Sequence, residues 1–308
     1  MNSASKNPDI RAFTDTDRAN AADEIRKVPL LGFSTSNEGF PSGGAVTDRR
    51  HRTVIIDGRQ FIFKLYGEGP LVPAGYTLED ATLMCDATRD YSRLLENSGI
   101  NVPVLKAVRP VIYKDTSPKT YAVGVLQEQI HDGVNAQTLA ETDGMSDDFV
   151  VRLHGAILSA TKRVIDSPSA YRPKTPMEAP TGFDNRTDNF VLDKDGRLFF
   201  VDPYPPFQLA ADGKFAVDAP MRRSISEVDF DLVHEVTCGR LFLYCRPLLF
   251  LQMARPHLRG TLEAQALGFV RQNEHPEVAQ AIEAEIAGGY PQYKSKSPEV
   301  ARGLIVIQ

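Results

Sequence analysis

Apolar residues in this chain recur with two different periods, and the change from one to the other marks the elements. Thr53-Val54-Ile55-Ile56, the pair Asp57-Gly58, and Gln60-Phe61-Ile62-Phe63-Lys64-Leu65-Tyr66 predict two strands joined by a tight turn. Over Thr77 to Asn97 the period lengthens. Met84, Ala87, Tyr91, Leu94 and Leu95 recur at helical spacing, and Thr77 with Asp80 makes a capping pattern. Ser98-Gly99 ends that helix. Ile100 to Leu105 predicts the start of a strand, and Tyr121 to Ile130 predicts a long strand that runs into the turn His131-Asp132-Gly133. A second helix is expected after Ser146, Asp147 and Asp148, with Phe149, Val150, Leu153, Ile157, Ala160 and Val164 as its buried stripe. His154 lies beside that stripe and reads as a structural histidine. From Ile225 onward the pattern is mostly helical. Its most apolar run, Leu241 to Ala254, is too short to span a bilayer and contains Arg246-Pro247, so it predicts a buried helix.

Between the proline-rich connector Ser167 to Pro180 and the helical end lies GFDNRTDNFVLDKDGRLFFVDPYPP, residues 182–206. Phe190-Val191-Leu192 and Leu198-Phe199-Phe200-Val201 read as two strands around an Asp195-Gly196 turn. Asn189 begins the first strand and Asp202 ends the second, so the hairpin brings them together, and a loop presents Asp184 beside them. Asn189 and Asp202 offer the hard oxygens that Mg²⁺ prefers. Asp184 is left to orient a hydroxyl nucleophile and accept its proton.

The order D-x-x-x-x-N, hairpin, D resembles the catalytic loop and metal-binding Asp of the protein-kinase-like fold, closer to aminoglycoside and choline phosphotransferases than to eukaryotic protein kinases. The stretch Gly99 to Leu105 is similar to the G-x-P-V-P-x-V-L of the same aminoglycoside-type enzymes. The resemblance implies an α+β, two-lobed chain with a small, mainly antiparallel β N-lobe and a larger, mainly helical C-lobe. It places an arm at 1–26, the N-lobe at 27–130 and the C-lobe at 131–308. It implies that Lys64 grips the α- and β-phosphates of ATP (or GTP), and that the long helix supplies an acid to pair with it. Asp90 is the choice, since Asp80 is occupied at the cap and Asp86 points away. The Glu128 carbonyl and the Ile130 amide are expected to meet the base, with Gln127 at the gate. Two positions depart from the family. Gly182 stands where a His is usual. Pro203-Tyr204, followed by Pro205-Pro206, stands where Phe-Gly is usual, which argues against a mobile, phosphorylation-controlled loop.

Composition narrows the partners. The chain has 308 residues, 42% hydrophobic, with net charge −5 and no long basic run, so nothing favours nucleic acid or an anionic membrane. Three cysteines at unrelated spacings make neither a disulfide framework nor a zinc pattern, as expected of a cytoplasmic protein. Gly32 to Gly44 reads equally as a phosphate loop or an ordinary one, because its glycines do not fit G-x-G-x-x-G. Residues 207–224 read as a loop or short hairpin turning at Asp212-Gly213, with Arg222-Arg223 a solvated pair or facing an anionic substrate. Leu304 to Ile307 reads as a final strand or tether. The expected activity is Mg²⁺-dependent phosphoryl transfer to a small-molecule hydroxyl. A pseudokinase that binds nucleotide or a protein partner without turnover, and a peptide Ser/Thr kinase, are the alternatives.

Overall fold

The computed structural model describes residues 51–56, 59–66, 75–114, 117–130, 133–204, 206–224 and 230–296. The arm at 1–26, the glycine-rich stretch 32–44, the turn at 57–58, residues 131–132, the Arg222-Arg223 side chains and the end at 304–307 lie outside this description.

The architecture is α+β in two parts. Strands β1 (His51–Ile56), β2 (Arg59–Tyr66), β3 (Leu105–Lys114) and β4 (Thr120–Glu128) form an antiparallel sheet in the order β1-β2-β4-β3. Helix α1 (Leu78–Asn97) packs on β3 and β4. Thr77 caps it, its Oγ1 accepting from the Asp80 amide at 3.1 Å. Alternation gives the sheet two faces. Phe61, Phe63, Leu65, Ala122 and Leu126 pack together on one. Val123 and Val125 turn to the other, against Met84 and Cys85 of α1.

One expectation is corrected here. The strand predicted over 100–105 is mostly connector, and β3 runs on through residue 114. Pro103 has no N–H to give a ladder, and Pro110 is tolerated in β3 because that strand is at the sheet edge.

The second part begins with β5 (Val134–Asn135), α2 (Ala136–Glu141) and α3 (Asp147–Ile165). The hairpin strands β6 (Phe190–Leu192) and β7 (Leu198–Phe200) join β5 in a small sheet. The connection between them is wider than the two-residue turn expected. Leu192 pairs with Leu198, and the Asp193 amide donates to the Arg197 carbonyl at 3.0 Å. Asp193 organises the loop: its Oδ1 accepts from the amides of Asp195 and Arg197, at 2.9 and 2.8 Å. Gly196, at φ +76°, supplies the left-handed residue. Then follow α4 (Asp218–Ser224), α5 (Phe230–Cys238), α6 (Arg240–Ala254), α7 (Arg259–Asn273), α8 (Pro276–Ala287) and α9 (Pro291–Lys296). α6 is the buried helix expected, packed against α3, α5, α7 and α8. No helix among the described residues is long and apolar enough to cross a membrane.

His154 on α3 is fully buried, with Nδ1 2.7 Å from the Gln265 side chain of α7. Burial lowers its pKa to about 4, only partly offset by that bond. Between about pH 6.5 and that value the unfolded chain takes up a proton that the folded chain refuses. Stability is therefore complete above about pH 6.5 and lost as pH falls toward 4, by on the order of 3 kcal/mol. Urea unfolding between pH 7.5 and 4.5 should show this slope, and His154→Asn should flatten it. Parallel curves for the two proteins would remove His154 as the cause.

Candidate active site

The hairpin does bring its ends together. The Val201 amide donates to the Asn189 carbonyl at 2.9 Å, so Asp202 follows the residue that is bonded to Asn189. The Asn189 side-chain amide donates to the Asp184 carbonyl at 2.9 Å, so Oδ1 is the atom it can offer to a cation. Under this loop Phe183, Phe190 and Phe200 pack ring against ring, with the Phe183 and Phe200 centroids 4.7 Å apart. Local apolar pattern thus places three polar residues on a rigid base.

Lys64 of β2 reaches the same place from the other part. Its Nζ donates to the Val201 carbonyl at 2.5 Å and lies 3.6 Å from Asp202 Oδ1. Burial lowers its pKa, and the Asp202 carboxylate opposes that shift. The helix partner expected for Lys64 is not there. Asp90 is exposed and pairs with Arg93 at 3.2 Å, one turn along α1. Tyr91, its neighbour, occupies the inward face instead. Its hydroxyl donates to the Gly182 carbonyl at 2.8 Å. The departure at Gly182 is explained by crowding around its Cα. A Cβ there would stand 2.7 Å from the Phe207 Cβ and 2.9 Å from the Cys238 Sγ, so no histidine fits.

Tyr66 and Tyr204 complete the surroundings of Asp202. The Tyr66 hydroxyl donates to Asp202 Oδ1. Burial, reinforced by the Asp202 charge, holds that phenol well above its ordinary range, so it is a donor at working pH.

The Asp184 side chain lies between two guanidinium groups, Arg186 Nε at 3.2 Å and Arg246 Nη1 at 3.6 Å. Arg246 is the one charged residue of the apolar run Leu241 to Ala254. It is only 2% exposed, and it also donates to the Val236 carbonyl at 2.7 Å. Pro247 next to it has no N–H for the carbonyl four residues back, that of Leu243. The Asn185 side-chain amide fills the gap at 2.6 Å. The dipeptide Arg246-Pro247 therefore anchors the Asp184 loop to α6 at two points. A buried charge and a proline within one apolar helix are the sequence signals that mark this role. Asp188 joins the cluster as well. Partial burial raises its carboxyl pKa, Arg186 opposes this, and the charges of Asp184 and Asp202 add to the rise.

Glu128 closes β4, its amide donating to the Val104 carbonyl at 2.9 Å. Ile130 lies in the link to β5, its carbonyl accepting from the Gly133 amide at 3.0 Å. Gln127 pairs across from Ile62, and Lys64 from Val125, so Gln127 shares the Lys64 face of the sheet. Gln127 is buried, and its Oε1 has no hydrogen-bond partner among the described residues.

An ammonium, two carboxylates, an amide oxygen and a flanking third carboxylate suit a polyphosphate and a hard cation. Asn189 Oδ1 and the Asp202 carboxylate are oxygen donors of the hard kind that would suit Mg²⁺. Among the described residues, no group of three or more His, Cys, Asp or Glu side chains could hold an ion by itself.

No protein-family model and no curated protein matches the chain. Among solved structures it is similar to a Toxoplasma gondii rhoptry antigen kinase domain, at 12% identity over 90% of this chain and 99% of that one, with a TM-score of 0.40. It is similar to choline kinase LicA from Streptococcus pneumoniae at 13% identity, over 92% and 95% of the two chains, with a TM-score of 0.34. A third is the Drosophila melanogaster PAN3 pseudokinase, at 8% identity over 82% of this chain and 63% of that one, with a TM-score of 0.34. What the site does follows from its own side chains.

Proposed function

We propose that this chain transfers the γ-phosphoryl group of ATP, or GTP, to a hydroxyl of a small molecule, with Mg²⁺ as the required ion. The observation that carries the reading is the meeting of Lys64 with Asp202 at 3.6 Å, on a hairpin whose base also holds Asn189 against the Asp184 loop. Lys64 takes the α- and β-phosphates, exchanging its bonds to the Val201 carbonyl and Asp202 for phosphate oxygens. The base lies toward Glu128, Gln127 and Ile130, where the lobe boundary at 130 falls. Asn189 and Asp202 hold the Mg²⁺, which when bound neutralises charge on the transferring phosphoryl group. Asp184 orients the acceptor hydroxyl and takes its proton, fixed in place by Arg186, Arg246 and the Asn185 bond to α6. Positioning and preset charge supply most of the acceleration in such a transfer, so few residues are needed.

A second reading, nucleotide binding without turnover, is favoured by one feature. Lys64 is closed onto Val201 and Asp202, while Asp90, the acid of α1 expected beside it, pairs with Arg93. Thermal melting with nucleotide tests whether the site binds at all. At 100 times Kd, Mg²⁺–ATP should stabilise the fold by about 2.7 kcal/mol, a rise in melting temperature of roughly 5 °C. Lys64→Ala should cut the affinity at least tenfold, and the rise with it. No shift with millimolar ATP or GTP would overturn both readings.

A further inference from the structure

We infer that the Tyr66 hydroxyl positions Asp202 for the cation: it holds one carboxylate oxygen and leaves the other turned toward the metal. This rests on the reading of the site as a Mg²⁺–nucleotide site, and it assigns a task to a residue outside that reading. Among the described residues, both donors that reach Asp202, the Tyr66 hydroxyl and the Lys64 ammonium, fall on the same atom, Oδ1. Oδ2 is then the oxygen Asp202 can present to an ion. A carboxylate on so short a stem still rotates about its last bond, and a fixed donor at one oxygen removes that freedom. Carboxylates that ligate metals are commonly held in this way by a second group.

The donor itself is held. The Tyr66 ring stacks on Tyr204, with centroids 4.3 Å apart and planes 20° from parallel. The Tyr204 hydroxyl shares a 2.5 Å hydrogen bond with the Tyr76 hydroxyl. Tyr76 is tied to the edge of β4 by a reciprocal backbone pair with Tyr121, both bonds 2.8 Å. Tyr76 and Tyr204 are 1% and 6% exposed, so the strut is set in the core. It runs from the sheet to the residue two places after Asp202. Tyr204 thus does more than replace a mobile segment: it supports the ring that orients the ligand before it.

The test is a Mg²⁺ titration of ATP affinity by calorimetry, on the full chain and on Tyr66→Phe, which keeps the stacked ring and loses the hydroxyl. Tyr66→Phe should weaken Mg²⁺ affinity by about tenfold or more. Its ATP affinity without Mg²⁺ should match that of the unaltered chain. Tyr204→Phe keeps the stack and loses the anchor to Tyr76, and should weaken Mg²⁺ severalfold. It serves as the test if Tyr66→Phe does not fold. Equal or tighter Mg²⁺ binding in the Phe variants would overturn the inference while leaving the nucleotide site in place. An unaltered chain whose ATP affinity ignores Mg²⁺ would overturn the metal reading, and the inference with it.

Discussion

Asp202→Ala should lose Mg²⁺-dependent nucleotide binding. Asp202 is the only anion of the two proposed ligands, and Mg²⁺ takes few protein ligands in nucleotide sites, so removing one cannot be made good by the others. A fall of more than tenfold in Mg²⁺ affinity is expected, equivalent to at least ~1.4 kcal/mol. Asn189→Ala should fall less, because a neutral oxygen contributes less attraction. Asp202→Ala also leaves the buried Lys64 ammonium with only the Val201 carbonyl and removes the acceptor of Tyr66. Stability should drop by about 1–3 kcal/mol through the broken pair. Asp202→Asn separates the two effects: it keeps the volume and an oxygen for Tyr66, and it removes the charge. If Asp202→Ala and the unaltered chain give the same Mg²⁺ titration, the metal role is wrong and the hairpin is structural only.

Asp184→Asn should abolish transfer and leave nucleotide binding nearly unchanged. The reason is geometric. Asp184 is tied by its backbone carbonyl to Asn189 and by its side chain to Arg186 and Arg246, whereas Lys64 pairs with Asp202. Loss of an acid or base aimed at the acceptor typically costs 10²–10⁴-fold, so a fall of about 10³-fold is expected. ATP affinity should stay within about twofold, well under the ~1.4 kcal/mol that marks a factor of ten. A parallel fall in ATP affinity would place Asp184 on the nucleotide and contradict the assigned role.

The parts of the fold that were legible in the sequence are those set by local pattern. Helix α1 follows from its stripe and the Thr77 cap. The β6–β7 hairpin follows from two short apolar runs around a turn, and its ends carry Asn189 and Asp202 toward each other whatever the loop between them does. The nearness of Asp184 to Asn189 was legible because only five positions separate them. What failed was long-range. Lys64 finds its partner in Asp202, 138 positions along the chain, and no periodicity reports that. Asp90 was the wrong acid because it lies next to Tyr91 on the helix, and the inward place went to Tyr91. The strand near 100 was misplaced because its apolar residues pack in a connector while edge strand β3 tolerates Pro110. Arg246 and Pro247 were visible only as breaks in an apolar run. Their bonds to the Asp184 loop, and the tyrosine strut behind Asp202, exist only once the two parts are packed together.

The most direct test of phosphoryl transfer follows ³¹P signals of ATP with Mg²⁺ and a panel of small hydroxyl compounds, on the unaltered chain and Asp184→Asn side by side. The account predicts ADP and a new phosphate ester with the unaltered chain, and intact ATP with the variant although it binds nucleotide equally well. Intact ATP with both proteins across the panel, with nucleotide bound to each, would contradict transfer and leave a binding protein.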